Sequence, residues 1–120
     1  MVHLNLMELY DRGLKNFESL LPLERDAFVL TDLDMYYEME GGFEDYLLSG
    51  GHEPKLSWLA DTLRRIGDAD SASIFSQLTR MDESRRDEME PLCERYYNLR
   101  HKRWEFLKHY LAQQSAELDD

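Results

Sequence analysis

Apolar side chains recur every three or four residues along most of the chain, which is the spacing of one face of an α-helix. A first stripe, from Leu4 to Phe17, predicts a helix that ends near residues 20–21. Pro22 suits the first turn of a second helix, because the N–H that proline lacks has no helical partner there. This second helix is predicted over residues 23–40. Its apolar residues occupy more than one face, so we expect it to be central in a bundle.

Two glycine pairs interrupt the helical pattern in the middle of the chain. Gly41 and Gly42 follow the second helix, and glycine readily adopts the left-handed conformation that ends a helix. A short helical segment is predicted over residues 43–48, and the second glycine pair, at residues 50–51, ends it. We expect Phe43 to pack in the core and to fix the turn that the first pair makes.

Helical spacing continues through the next segments. A third helix is predicted over residues 53–66, with Gly67 as its stop. A fourth helix follows an aspartate N-cap, either Asp68 or Asp70, since a short acceptor side chain satisfies the free N–H groups of a first turn. Its apolar stripe extends to Leu78.

The last part of the chain predicts one long helix. Residues 82–90 are polar and indicate a loop or a frayed first turn. The long C-terminal helix is predicted over residues 90–114, with Pro91 in its first turn. The tail, residues 115–120, is expected to be frayed. Because no strong β-alternation occurs, the sequence predicts a single all-α domain, a compact bundle of five or six helices.

The charge balance narrows the kinds of partner. The 120 residues include 14 Lys and Arg against 25 Asp and Glu, a net charge of −11. Such a charge repels phosphates, so we expect no direct binding of nucleic acid or anionic membranes and a preference for basic proteins. The single cysteine, Cys93, fits a reducing compartment. No long apolar run or basic leader is present, so a cytoplasmic location is expected.

The acids are concentrated in one segment. Residues 24–53 contain nine carboxylates and a single arginine, which gives a net charge of −8. A helix rises ~1.5 Å per residue, so the first eight of these carboxylates, between residues 24 and 45, would give about one charge per 4 Å along the helix axis. One DNA strand carries a charge every ~3.4 Å. We therefore predict that the segment contacts a basic partner. The predicted contact residues are Asp26, Asp32, Asp34, Glu38, Glu40, Glu44, Asp45 and Glu53.

A simpler interpretation of the same charges stays open. The acids are then solvated helix faces, and the basic last helix neutralises part of them. Between residues 95 and 112 five basic side chains face one acid, a net charge of +4. The cluster Lys102, Arg103 and Lys108 within it raises the alternative of RNA or membrane binding.

Catalytic and metal-binding patterns are weak. No P-loop surrounds the glycine pairs. The acid pairs that begin at Asp32 and Asp68 lack the glycine and the glutamate of a calcium loop. The four histidines are scattered and one cysteine cannot form a zinc cage, so no cofactor or metal is expected. A carboxylate pair one turn apart, Asp34 and Glu38, leaves an enzyme open, provided that a concave pocket brings carboxylates together.

Several short motifs resemble a bacterial family of domains of unknown function that is typified by an acidic DNA mimic protein. The resemblance covers about residues 23–112. The matching motifs are Glu40-Gly41-Gly42-Phe43, Asp45-Tyr46, Ser49, Leu59-Ala60-Asp61-Thr62-Leu63-Arg64-Arg65-Ile66-Gly67, Ala72-Ser73-Ile74-Phe75, Tyr96-Tyr97 and Tyr110-Leu111. The chain departs from the family at Glu40, Asp45 and Ser49, where asparagine, glutamine and asparagine are usual.

The resemblance implies an all-α fold, no enzymatic activity, a homodimer and an acidic surface. In the characterised member of the family, that surface binds a helix-turn-helix transcription regulator in place of DNA. The leading hypothesis is therefore an acidic protein-interaction module that acts as a DNA mimic. An immunity-like or antitoxin-like inhibitor of a basic toxin or nuclease is the alternative.

Overall fold

The computed structural model describes residues 1–119, and within them it contains seven α-helices and one two-stranded sheet. Short 3-10 turns lie at Phe17–Ser19 and Glu83–Arg85. The elements in chain order are β1 (Val2–Asn5), α1 (Leu6–Lys15), α2 (Pro22–Glu40), α3 (Glu44–Leu48), α4 (Lys55–Arg65), α5 (Ala69–Thr79), α6 (Arg86–Asn98), α7 (Arg100–Gln113) and β2 (Ala116–Asp119).

Helix α2 is the centre of the bundle, as its sequence pattern predicts. It contacts α1, α4 and α7. Residues 26–30 are all buried, so every side of the helix is covered along this stretch. Pro22 begins the helix and Gly41 follows its last residue. The other helices bury one face each against α2 or against one another.

The glycine pair after α2 turns the chain towards α3. Gly41 has φ +78°, in the left-handed region, and its N–H donates a hydrogen bond to the Tyr37 carbonyl at 2.8 Å. Phe43 follows the turn with only 1% of its surface exposed. Its ring meets the edges of Tyr37 and Tyr96, with centroids 6.2 Å and 5.5 Å away. The aromatic contact fixes the direction in which the chain leaves the turn.

The two ends of the chain correct the all-α prediction. Residues 2–5 form β1 instead of the start of the first helix, and the predicted frayed tail forms β2 up to Asp119. The strands are parallel, with Val2 opposite Ala116 and Asn5 opposite Asp119. Local sequence patterns do not reveal this pairing, because each strand has four residues and its partner lies 114 positions away. Asp120 lies outside the described residues.

The predicted long C-terminal helix is two helices, α6 and α7. The chain bends at Leu99, whose N–H donates to the Tyr96 carbonyl at 3.1 Å. Helix α6 begins at Arg86, so much of the segment predicted to be a loop is helical. Pro91 is therefore the sixth residue of α6 and does not lie in its first turn. Proline there removes the hydrogen bond that an N–H at position 91 would donate to the Asp87 carbonyl, and both residues are exposed to water.

Replacement of Phe43 by alanine is expected to lower the free energy of unfolding by roughly 3–5 kcal/mol, because it leaves a cavity beside Tyr37 and Tyr96. Gly41→Val is expected to destabilise as well, since a β-branched residue is strained at positive φ. Urea denaturation measures both changes. Met7→Ala is the control, because Met7 is 78% exposed. A Phe43→Ala variant as stable as the control contradicts the prediction.

Candidate functional site

The acids of α2 form two groups that differ in exposure. Those of the last turn, Glu38 and Glu40, are exposed. The remaining four are only 2–8% exposed, and they are Glu24, Asp26, Asp32 and Asp34. A side chain at this depth cannot meet a partner. The structure therefore removes Asp26, Asp32 and Asp34 from the predicted contact surface.

Asp34 forms an ion pair with Arg103 inside the protein. Arg103 is wholly buried, and its Nη2 donates to Asp34 Oδ1 at 2.8 Å. Its Nη1 donates to Ser71 Oγ at 3.1 Å and to the Tyr96 carbonyl at 2.8 Å. Burial raises the pKa of Asp34, although the charge of Arg103 opposes that shift. Arg103 is thus a structural cation and does not belong to the basic surface that its sequence neighbours predicted.

Asp26 and Asp32 connect α2 to other helices. Asp26 Oδ1 accepts hydrogen bonds from Thr62 Oγ1 at 2.7 Å and from Arg65 Nη2 at 2.6 Å. Both residues belong to α4, and Arg65 is its last residue. Asp32 accepts from the Tyr10 hydroxyl of α1 at 3.2 Å and from the Tyr46 hydroxyl of α3 at 2.7 Å. The two aspartates therefore fix the positions of three helices around α2.

Glu24 closes the start of α2. Its Oε1 accepts a hydrogen bond from the Leu21 N–H at 2.8 Å, and its carboxylate pairs with Arg12 of α1. Burial alone would raise the pKa of Glu24. The hydrogen bonds from Arg12 and Leu21 outweigh that effect, and the pKa is lowered. The ionised form of Glu24 is therefore the one that stabilises the fold.

Six other carboxylates gather around the C-terminal end of α2, and we call them the acidic face. They are Glu38, Glu40, Glu44, Asp45, Glu90 and Glu94. Partial burial raises the pKa of Tyr37, and the negative charges of Glu94, Glu44 and Glu90 raise it further. Burial also raises the pKa of Tyr36, with added contributions from Asp45, Glu40 and Glu44. The two tyrosines thus lie among the acids of three helices.

Hydrogen bonds and ion pairs hold part of the acidic face in place. The Tyr97 hydroxyl donates to Glu38 Oε1 at 2.8 Å. The Tyr97 ring stacks on Tyr37 with centroids 4.2 Å apart, and the Arg100 guanidinium lies 4.1 Å from the Tyr97 ring. Asp45 pairs with Arg86 Nη1 at 2.8 Å. These contacts orient two carboxylates that would otherwise move freely in solvent.

Glu90 and Glu94 are members of the acidic face that the sequence interpretation missed. Together with Asp87 they have the spacing i, i+3 and i+7, which follows one face of α6. The spacing is visible in the sequence. Glu90 and Glu94 fall within the predicted helix 90–114, but a single sequence does not show that this helix packs beside the end of α2.

Glu53 lies apart from the acidic face. Its Oε2 accepts a hydrogen bond from Ser57 Oγ at 2.7 Å. It also lines a cleft of about 250 Å³ together with Leu47, Leu56 and Phe75. None of the six acids of the acidic face lines this cleft. The structure therefore does not bring Glu53 together with the other predicted contact residues.

Asp34 and Glu38, the carboxylate pair that left an enzyme open, line neither of the two clefts described within residues 1–119. Asp34 is bound by Arg103, whereas Glu38 is bound by Tyr97 at the surface. A groove of about 950 Å³ lies between the start of α5 and α7, and neither carboxylate lines it. Burial raises the pKa of Cys93 to about 12, so its thiol stays protonated at neutral pH.

Two further properties concern metals and membranes. Within residues 1–119 no group of three His, Cys, Asp or Glu side chains is arranged to hold a metal ion. In the same part of the chain no helix combines the length and the apolarity that a membrane crossing requires.

The fold and the surface define a small acidic helical protein with six carboxylates gathered around the end of its central helix. Residues 18–120 match the model of the family described as DMP19-like protein, and the chain belongs to this family. The membership of this family that the sequence motifs predicted is thereby confirmed. No curated protein and no solved structure matches the chain.

Glu24→Gln is expected to lower the free energy of unfolding at pH 7 by roughly 1–2 kcal/mol, since it removes the charge from the hydrogen bonds with Arg12 and Leu21. A carboxylate whose pKa is lower in the folded than in the unfolded protein stabilises the fold at pH values above its unfolded pKa. The stability difference between wild type and variant should therefore shrink as the pH falls below about 4.3. Urea denaturation between pH 7 and pH 3 measures it.

Glu105→Gln, at an exposed position on α7, is the control for this titration, and it should change the stability little at any pH. A difference between wild type and Glu24→Gln that grows towards acid pH contradicts the assignment.

Duplex DNA and anionic vesicles are expected not to bind at physiological salt. Lys102 and Lys108 are exposed on α7, but Arg103 is buried, and the net charge of −11 repels phosphates. Mobility-shift and vesicle co-sedimentation experiments test this expectation. Micromolar binding to either would show that the local charge of α7 outweighs the charge of the whole protein.

Proposed function

We propose that this protein is a non-enzymatic interaction module whose acidic face binds a basic DNA-binding protein in place of DNA. The observation that carries the proposal is the gathering of six carboxylates on α2, α3 and α6. Five of them raise the pKa of Tyr36 or Tyr37, and the sixth, Glu38, accepts a hydrogen bond from Tyr97, whose ring stacks on Tyr37. Membership of the DMP19-like family supports it, because the family that the sequence motifs resemble is typified by an acidic DNA mimic.

The geometry of the mimicry differs from the single row of charges that the sequence suggested. Three of the predicted acids of α2 are buried, so no continuous row of carboxylates follows that helix. The exposed charges form a two-dimensional cluster on three helices instead. Six carboxylates with Arg86 and Arg100 beside them leave a net charge of −4.

Orientation of the carboxylates supports a specific contact over a diffuse negative charge. Tyr97 holds Glu38, and Arg86 holds Asp45. A fixed side chain loses less conformational entropy when a partner binds, so preorganisation favours affinity. Phosphates of duplex DNA are likewise held in place by the double helix. A basic protein that recognises phosphates can therefore meet two oriented carboxylates here, Glu38 and Asp45.

The partner can be isolated from native cytoplasm on the immobilised protein and released with duplex DNA, which competes if the partner uses its DNA-binding surface. Binding of the purified partner should weaken steeply with salt, because the Debye length falls from about 10 Å at 0.1 M to about 3 Å at 1 M. Slower association should account for most of the loss. Surface plasmon resonance over this salt range measures both rates.

Two variants with equal charge test the position of the acids. The first changes Glu38, Glu40, Glu44 and Asp45 to their amides, and it should weaken binding at least tenfold. The second changes Asp11, Glu105, Glu117 and Asp119, which are exposed and lie outside the acidic face. It should weaken binding by less than about threefold, through the general charge alone. Equal losses would leave only nonspecific attraction, and the proposal would be wrong.

The homodimer and the cytoplasmic location stay predictions, and neither is needed for the proposed contact.

A further inference from the structure

An apolar strip crosses the exposed side of α2 next to the acidic face. Met39 is 74% exposed and Met35, one turn earlier, is 37% exposed. Neither belongs to the core or to the partly buried side chains packed against it. Met39 is therefore free of the core, whereas Met35 is partly covered and presents the remaining 37% of its surface to solvent.

The strip lies between carboxylates. Residues of an α-helix follow one another at about 100°, so Met35 and Met39 are about 40° apart around the axis. On the same scale Glu38 lies about 60° to one side of Met35, and Glu40 lies about 100° beyond Met39 on the other side. Tyr36, which stacks edge-on against Tyr46, lies between Met39 and Glu40. The exposed arc of α2 thus has an apolar centre and an acidic rim.

This arrangement has the form of a protein-binding surface. Apolar patches rimmed by polar residues mark interaction sites. Methionine is enriched in the centres of such interfaces, and its flexible thioether adapts to different neighbours. A second copy of this protein is a poor occupant of this surface, because the carboxylates of its acidic face would repel those of the first copy. The acidic rim and the apolar centre together favour a partner surface that has apolar side chains between lysines or arginines.

We propose that Met35 and Met39 are the apolar centre of the partner contact, and that the partner presents an amphipathic basic helix to them. This inference rests on the proposed function. DNA-binding helices read phosphates with basic side chains and thymine methyl groups with apolar ones. The methionine methyl groups beside Glu38 and Glu40 offer both kinds of contact at once. The methionines then supply a part of the affinity that salt does not screen.

Two synthetic helical peptides of equal length and equal lysine content test the inference. One carries leucines on the face opposite the lysines, and the other carries glutamines there. Wild-type protein should bind the leucine peptide about tenfold more tightly, a difference of ~1.4 kcal/mol. Met35→Gln/Met39→Gln should remove most of this difference and leave binding of the glutamine peptide unchanged. Fluorescence anisotropy at 0.1 M and 0.5 M salt measures all the affinities.

Met7→Gln is the matched control, because Met7 is 78% exposed on α1, outside the acidic face. It should keep the full preference for leucine. Thermal unfolding checks that the three proteins are equally folded. If the double variant keeps the preference, or loses affinity for both peptides equally, the inference is wrong and the proposed function stands. If the four-amide variant of the acidic face binds both peptides as tightly as wild type, the proposed function is wrong and the inference falls with it.

Discussion

The carboxylates buried along α2 are the constraint on which the rest of the molecule depends. Removing a charge from water costs several kcal/mol, and only close partners with good geometry offset that cost. Asp34 has such a partner in Arg103 of α7, and Glu24 has one in Arg12 of α1. Asp26 is bound from α4. A rotation of α2 about its axis would break these contacts together, so the orientation of the helix is fixed.

That fixed orientation decides which acids reach the surface. The most acidic segment of the sequence, residues 24–53, does not form one surface, because its first four carboxylates are buried inside the bundle. Glu38 and Glu40 lie in the exposed last turn of α2, and α3 and α6 add carboxylates there. The acidic face thus depends on the internal ion pairs, although no residue belongs to both groups. Bulk charge alone would not reveal this division.

Prediction from sequence succeeded where the signal was local. Pro22 and Gly41 mark the ends of α2, and the apolar residues on several faces of this helix identify it as central. The same pattern does not predict that Asp26 and Asp34 are buried. A helix that is apolar on several sides has no distinct polar face, so its sequence does not show which acids are exposed. Their partners lie 36 and 69 positions away, at Thr62 and Arg103. Long-range contacts of this kind leave no periodic trace in one sequence.

The parallel pairing of β1 and β2 has a mechanical consequence. Because the strands run in the same direction, the N-terminal end of β1 and the C-terminal end of β2 lie at opposite ends of the ladder. A force that draws these two ends apart acts along the strands, and it loads the hydrogen bonds between them in shear. Several bonds must then break at once, whereas an antiparallel hairpin would unzip one bond at a time. The small sheet therefore acts as a clamp against extension of the chain.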